Sequence, residues 1–197
     1  MLPPFAIDPH VVENASGLYM FYCQNDYEAK RAGTYIRCDR MTDAMTMEGH
    51  PADVVRPTLD EEIFKRDRFR PGQHWHTLEG AFYFHVGTTH FMMYSGACYQ
   101  NPTYFVGYCV AHGPEDADLC TLTWKKYPDE HTYAPLLAKS EWMEGTGHNS
   151  VLQDAGKWYI IYHARDNGDI LLSQDARSAR IDELKIDGDR LSVEVTR

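Results

Sequence analysis

The sequence contains no apolar run approaching the ~18 residues that a membrane-spanning helix needs. Its N-terminus, MLPPFAIDPH, shows no basic stretch followed by an apolar one, the pattern of a secretory signal, although a chain cut from a longer protein would also lack it. No phosphate-binding glycine loop, serine-nucleophile motif or heptad repeat is present. Positive charge is in deficit: 19 Lys and Arg stand against 29 Asp and Glu, a formal charge of −10. That balance argues against nucleic acid or an anionic membrane as the partner and leaves a neutral substrate as the easier fit. The five cysteines form no CxxC pair and are odd in number. Cys23, Cys38, Cys98 and Cys109 sit in apolar or aromatic runs, where a free thiol behaves as a small hydrophobe, so a reduced, cytoplasmic protein is the expectation. Convincing long helices are also absent. The segment EEIFKRDRF (61–69) reads as a short helix at most, bracketed by Pro57 and Pro71.

What is plentiful is aromatic and β-branched residues. Aromatics make up 13% of the 197 residues, and hydrophobic residues 43%, enough for a chain that folds. Three stretches suit a pleated, buried surface: GLYMFYC (17–23), HFMMYS (90–95) and GKWYIIYH (156–163). Each is followed by another candidate strand, GTYIRCD (33–39), YFVGYCVA (104–111) and DILLSQD (169–175). Aligning Tyr19, Phe91 and Tyr159 gives a period of about 70 residues, long for a solenoid but suited to a β-propeller blade of four strands with an extended loop. Chance similarity among short aromatic strands is the alternative. The expected fold is all-β, one propeller domain over 1–197 with repeats at roughly 6–75, 76–145 and 146–197.

The polar residues ahead of the aligned strands carry the chemistry. Asp8 stands eleven positions before Tyr19, Glu79 twelve before Phe91, and His148 eleven before Tyr159. In a radial repeat, equivalent positions on the innermost strand point to the central axis, so these three side chains would converge although each belongs to a different repeat. Two carboxylates across one pocket are what glycoside hydrolysis needs: one stays protonated to serve the leaving oxygen, while another activates water. Taken singly, Asp8 would cap a turn, Glu79 would pair with an Arg and His148 would bond within its loop.

These residues resemble a known family. IDPHVVENASGLYMFY, HTLEGAFYFHVGTTHFMMYSGACYQNPTYFVGYCVA and GTGHNSVLQDAGKWYIIYHA are similar to segments of the family 43 glycoside hydrolases. The resemblance runs from about Ala6 to the C-terminus. It implies a five-bladed β-propeller and inverting hydrolysis of arabinofuranosyl or xylosyl linkages in an oligosaccharide, as by α-L-arabinofuranosidases and β-xylosidases. It also implies Glu79 as general acid and Asp8 as the residue that tunes and orients it. His148 would lie beside a central metal ion, often calcium, with no further cofactor required, and Arg177 in RSARID would contact the sugar.

The family's general base is an Asp well upstream of the AIDP motif, and only seven residues precede Asp8 here. The base is therefore expected to come from another chain or to be absent, because the setting of Asp8 argues against its serving as base. Three blades leave an arc, whereas closed propellers have roughly 4–8 blades, so a homo-oligomer, a complementary N-terminal blade polypeptide or a fragment of a larger protein is expected. An inactive carbohydrate-binding relic and a subunit of a split enzyme are the rival readings. Trp75 is placed either to stack on a sugar ring or to fill the core. Tyr99 and Asn101 border the pocket or form a turn. The H-x-H of His74 and His76 lacks a third ligand at zinc spacing, and DGDR (187–190) reads as the turn of a terminal hairpin.

Overall fold

A computed structural model describes residues 5–168 and 176–196. The first sheet holds β1 (Ala6–Asn14), β2 (Gly17–Asp26) and β3 (Gly33–Asp43), with the short β4 (Thr46–Met47) and β5 (Ala52–Val55) paired to β3. After β6 (Ile63–Lys65) comes the second blade, β7 (Trp75–Val86), β8 (Thr89–Gly96), β9 (Phe105–His112) and β10 (Lys125–Lys126). The third is β11 (Met143–Asp154), β12 (Lys157–Asp166), β13 (Ser178–Asp187) and β14 (Arg190–Val193). Within each blade the main strands run antiparallel in chain order, so the fold is all-β: three blades of a β-propeller. No helix among the described residues is long and apolar enough to cross a membrane.

Blade packing follows from the strand period of two. On β2 and β3, Tyr19, Phe21, Cys23, Ile36 and Cys38 face the second blade, where Met92, Tyr94, Phe105 and Cys109 meet them. The opposite face of that second blade, Phe91, Met93, Val106, Tyr108 and Val110, packs on Ile160, Tyr162, Ala164, Leu184 and Leu191 of the third. The central blade is thus buried on both faces, which is why HFMMYS and YFVGYCVA are almost continuously apolar. Each large side chain buried this way contributes about 1.5–3 kcal/mol of transfer free energy.

Two devices join the first blade to the second. A short parallel contact pairs Gly33 and Thr34 with His76 and Thr77, and a Cβ on Gly33 would stand 2.1 Å from the His76 carbonyl oxygen, so only glycine admits the approach. The other is a buried ion pair. Lys126 Nζ bonds Glu62 Oε1 and, at 2.8 Å, Thr58 Oγ1, while Glu62 Oε2 accepts the N–H groups of Thr58 and Leu59 at 2.7 and 2.9 Å. With side chains 2% and 0% exposed, both charges depend on these bonds for the solvation they have lost.

Some sequence expectations change. The segment 61–69 forms one 3₁₀ turn (Asp60–Glu62) followed by β6 rather than a short helix, because Glu62 is spent on the local amides and Ile63 is drawn into pairing with His76. His74 lies before the first residue of β7, so it does not share a strand face with His76. The candidate strand 169–175 lies outside the described residues; the next strand described after β12 is β13. The terminal hairpin forms as expected, with Asp187 opposite Arg190.

Lys126→Met leaves the Glu62 charge buried and unpaired, and is expected to cost about 3–5 kcal/mol in urea unfolding. The double variant Glu62→Leu/Lys126→Met should recover most of that loss; equal losses in the two proteins would contradict this account of the pair.

Candidate active site

The three innermost strands share one irregularity. In β1 the pairing steps from Ile7↔Cys23 to His10↔Phe21, leaving Asp8 and Pro9 opposite Tyr22 alone. In β7 it steps from Glu79↔Ser95 to Phe82↔Met93, leaving Gly80 and Ala81 opposite Tyr94. In β11 it steps from Gly147↔His163 to Ser150↔Ile161, leaving His148 and Asn149 opposite Tyr162. Each is a β-bulge whose first residue is left-handed: Asp8 at φ 53°, Gly80 at 67° and His148 at 35°. The true counterpart of Asp8 and His148 is therefore Gly80, which also stands eleven positions before Phe91, and Glu79 immediately precedes the bulge. That offset accounts for the odd spacing of Glu79. It also has a use, because a Cβ on residue 80 would stand 3.0 Å from His148 Cδ2, where the imidazole now packs.

The bulges gather the polar groups. His148 Nε2 lies 3.6 Å from Asp8 Oδ2 and 3.5 Å from Glu79 Oε1. Asp8 Oδ2 also accepts the Gly80 N–H at 2.9 Å, tying the first blade to the second. The backbone N–H of His148 donates to Ser95 Oγ at 2.8 Å, which fixes the third blade against β8. Tyr104, fully buried, donates its hydroxyl to Glu79 Oε1 at 2.6 Å. Burial pulls the imidazole of His148 down, but the Glu79 bond and the Asp8 carboxylate outweigh it, and the net position is above the ordinary value of 6.5. Burial and the Glu79 carboxylate both push the Tyr104 phenol well up, so it remains a donor.

Two recesses meet at this cluster. Asp8, Gly80, Phe82, His148, His163 and Arg177 line a groove of about 490 Å³. Glu79 opens instead into a cavity of about 150 Å³, with Arg68, Trp75, Cys98 and Tyr99. The Arg177 guanidinium lies 4.7 Å from the Tyr99 ring, bridging the two mouths. Trp75 shares the Glu79 cavity but is only 3% exposed, held by Tyr27, Phe69 and Arg68, so its contacts are those of a core side chain. Asn101 serves a turn, its carbonyl accepting from Tyr104 N–H and from the buried Arg165. His76 bonds Ala32 O and Arg31, a structural role. Tyr104, Ser95 and Gly80 are members that sequence reading misses: the first two read as strand residues, and Gly80 announces itself only by its spacing from Phe91.

Asp8, Glu79 and His148 offer ligating atoms within 4.8 Å of one another. Calcium takes six to eight oxygens, whereas this set is one imidazole nitrogen and two carboxylates. Each carboxylate is already engaged by a protein donor, and Nε2 is aimed at both as their ion-pair partner. These three groups would supply only part of the six to eight ligands that calcium takes, and no step is routed through a metal here.

Three propeller blades bring two carboxylates and a histidine together from their innermost strands. The family model described as glycosyl hydrolases family 43 matches residues 2–191, and the chain belongs to that family. Among solved structures it is similar to a thermostable family-43 glycoside hydrolase (26% identity, TM-score 0.71), covering 97% of this chain and 58% of that one. An endo-1,4-β-xylanase from Bacteroides thetaiotaomicron (21%, TM-score 0.74; 97% and 59%) and an α-L-arabinofuranosidase from Lactobacillus brevis (24%, TM-score 0.74; 96% and 55%) share the fold. The chain thus spans less than two thirds of the length of these relatives. No curated protein matches it.

Gly80→Ala is expected to destabilise more than Gly72→Ala, by about 1–3 kcal/mol from overpacking. Both positions are left-handed, but only at Gly80 would the new methyl meet the imidazole. Equal losses in thermal unfolding would show that the His148 packing contributes nothing.

Proposed function

We propose that this chain carries the proton-donating part of an inverting glycoside hydrolase site acting on arabinofuranosyl or xylosyl linkages of an oligosaccharide. The observation that supports it is the placement of Glu79. Both of its described side-chain partners, Tyr104 and His148, fall on Oε1, which leaves Oε2 to carry the proton toward the glycosidic oxygen in the adjoining cavity. Asp8, held by the Gly80 amide, lies beside Glu79 and is the residue that orients it. Tyr99 and Arg177 frame the mouth through which the sugar enters.

Asp8 is not the base in this reading. Its ligating oxygen lies within 4.8 Å of that of Glu79, closer than the roughly 6.5–9.5 Å that lets a water stand between an inverting pair. The water-activating carboxylate is then supplied by another chain, a complementary polypeptide or a second copy, or by further blades of a longer polypeptide. The outer faces of the arc support such completion. Met20, Tyr22, Met41, Met45 and Met47 line a recess on the first blade, with Met45 91% exposed, and Ile181 stands 55% exposed on the third. Five free cysteines suit a reducing, cytoplasmic setting.

With the ring completed by a two-blade polypeptide from a family member, hydrolysis of an aryl α-L-arabinofuranoside or β-xyloside is expected to appear, and Glu79→Gln to lower it by roughly 10²–10⁴-fold. Activity unaffected by that substitution would remove Glu79 from the acid role. Sugar binding without turnover in the completed ring would favour the relic.

A further inference from the structure

The loop between β9 and β10, residues 113–124, belongs to the second blade but lies on the first. Asn14 Nδ2 and Ser16 Oγ donate to the Ala117 carbonyl at 2.9 and 3.0 Å, and Arg40 stands 3.6 Å from Asp118. Leu122 and Trp124 follow the loop into the apolar seam between the blades. In that seam Cys120 Sγ lies 3.5 Å from Cys38 Sγ, and both thiols are free. The two residues are 82 positions apart in sequence, so the contact is made by the packing of one blade on the next.

The two thiols differ in the way that directed oxidation requires. Cys38 sits in the middle of β3 with no exposed surface, whereas Cys120 is half-buried in a turn, its amide donating to Asp118 Oδ1 at 3.0 Å. With no exposed surface, Cys38 is not the group a reagent meets first, whereas Cys120 is reachable. A disulfide needs its sulfurs about 2.05 Å apart. The gap to be closed is therefore about 1.5 Å, a distance that side-chain rotation and a small shift of the turn can supply, because Cys120 lies outside any strand ladder.

We propose that Cys38 and Cys120 form a thiol–disulfide site, oxidised by a low-molecular-weight disulfide of the glutathione type. The Cys120 sulfur attacks the reagent's S–S bond, forming a mixed disulfide and releasing one reagent thiol, which carries away the proton. The Cys38 sulfur then attacks Cys120 Sγ, the Cys38–Cys120 bond forms, and the second reagent thiol leaves with the second proton. Two protein thiols are oxidised and one small disulfide is reduced to two thiols. The product ties the first blade covalently to the second, in the same apolar seam as Cys23, whose Sγ lies 4.0 Å from Asp8 Oδ2. In a reducing compartment the pair rests as two thiols, and it closes when the small-molecule pool becomes oxidised.

The test is to incubate the native chain with oxidised glutathione, quench it in acid, and count thiols after denaturation. The count should fall from the five of the untreated chain by two. The intact mass should be lighter by two hydrogens with no glutathione retained, and the peptide map should join Cys38 to Cys120. Cys38→Ala should instead hold glutathione stably on Cys120, because nothing displaces it. A native chain that keeps a glutathione adduct on Cys120, retains all five thiols or joins any other pair would overturn the proposal. These readouts on the native chain need no variant to fold.

Discussion

A left-handed residue at Asp8, Gly80 and His148 turns each innermost strand where the blades converge, and the site depends on that turn. A regular strand would send successive side chains to opposite faces of the sheet and keep them within their own blade. The bulge inserts an extra residue and re-aims its neighbours, so that Asp8 reaches the Gly80 amide while His148 slides into the space left by the missing Cβ. Left-handed backbone costs a non-glycine residue of order 1–3 kcal/mol. The offset comes from Tyr22, Tyr94 and Tyr162, each buried opposite a bulge, and from bonds that cross between blades.

The cluster is correspondingly a joint between blades. Asp8 comes from the first, Glu79 from the second and His148 from the third, and no two lie on one strand. Its geometry therefore depends on how the blades pack, through the Gly33 contact, the Glu62–Lys126 pair and the loop that seats Cys120 on Cys38. Chemistry at the cluster and cohesion of the arc are linked: whatever loosens the seam moves a carboxylate relative to its neighbours.

The strands are legible in the sequence because aromatic and β-branched runs alternate or saturate with burial, and the recurrence of Tyr19, Phe91 and Tyr159 exposes the blades. Asp8 and His148 are legible from a shared spacing. Glu79 stands slightly out of register, because sequence alignment cannot see that a bulge hands the left-handed position to Gly80. Tyr104 and Ser95 stay hidden: each lies in or beside an aromatic strand that reads as core, and only the packing of neighbouring blades turns their hydroxyls toward Glu79 and the His148 amide. Trp75 beside Glu79 is equally ambiguous in sequence, and the aromatic enclosure by Tyr27 and Phe69 decides for the core. The acidic start of 61–69 suggests a helix, but a buried lysine 64 residues away claims Glu62.

The most direct measurement is an NMR titration of the His148 imidazole in the native chain and in Asp8→Asn/Glu79→Gln. Because the carboxylates raise His148 above 6.5 in the folded state, their stabilisation is fully present below that pH and is lost as pH rises through the folded midpoint. The account predicts a native midpoint above 6.5 that falls when both carboxylates are neutralised, with burial then pulling it down. A midpoint at or below 6.5 that the double substitution leaves unmoved would mean that the bulges do not bring these three groups together.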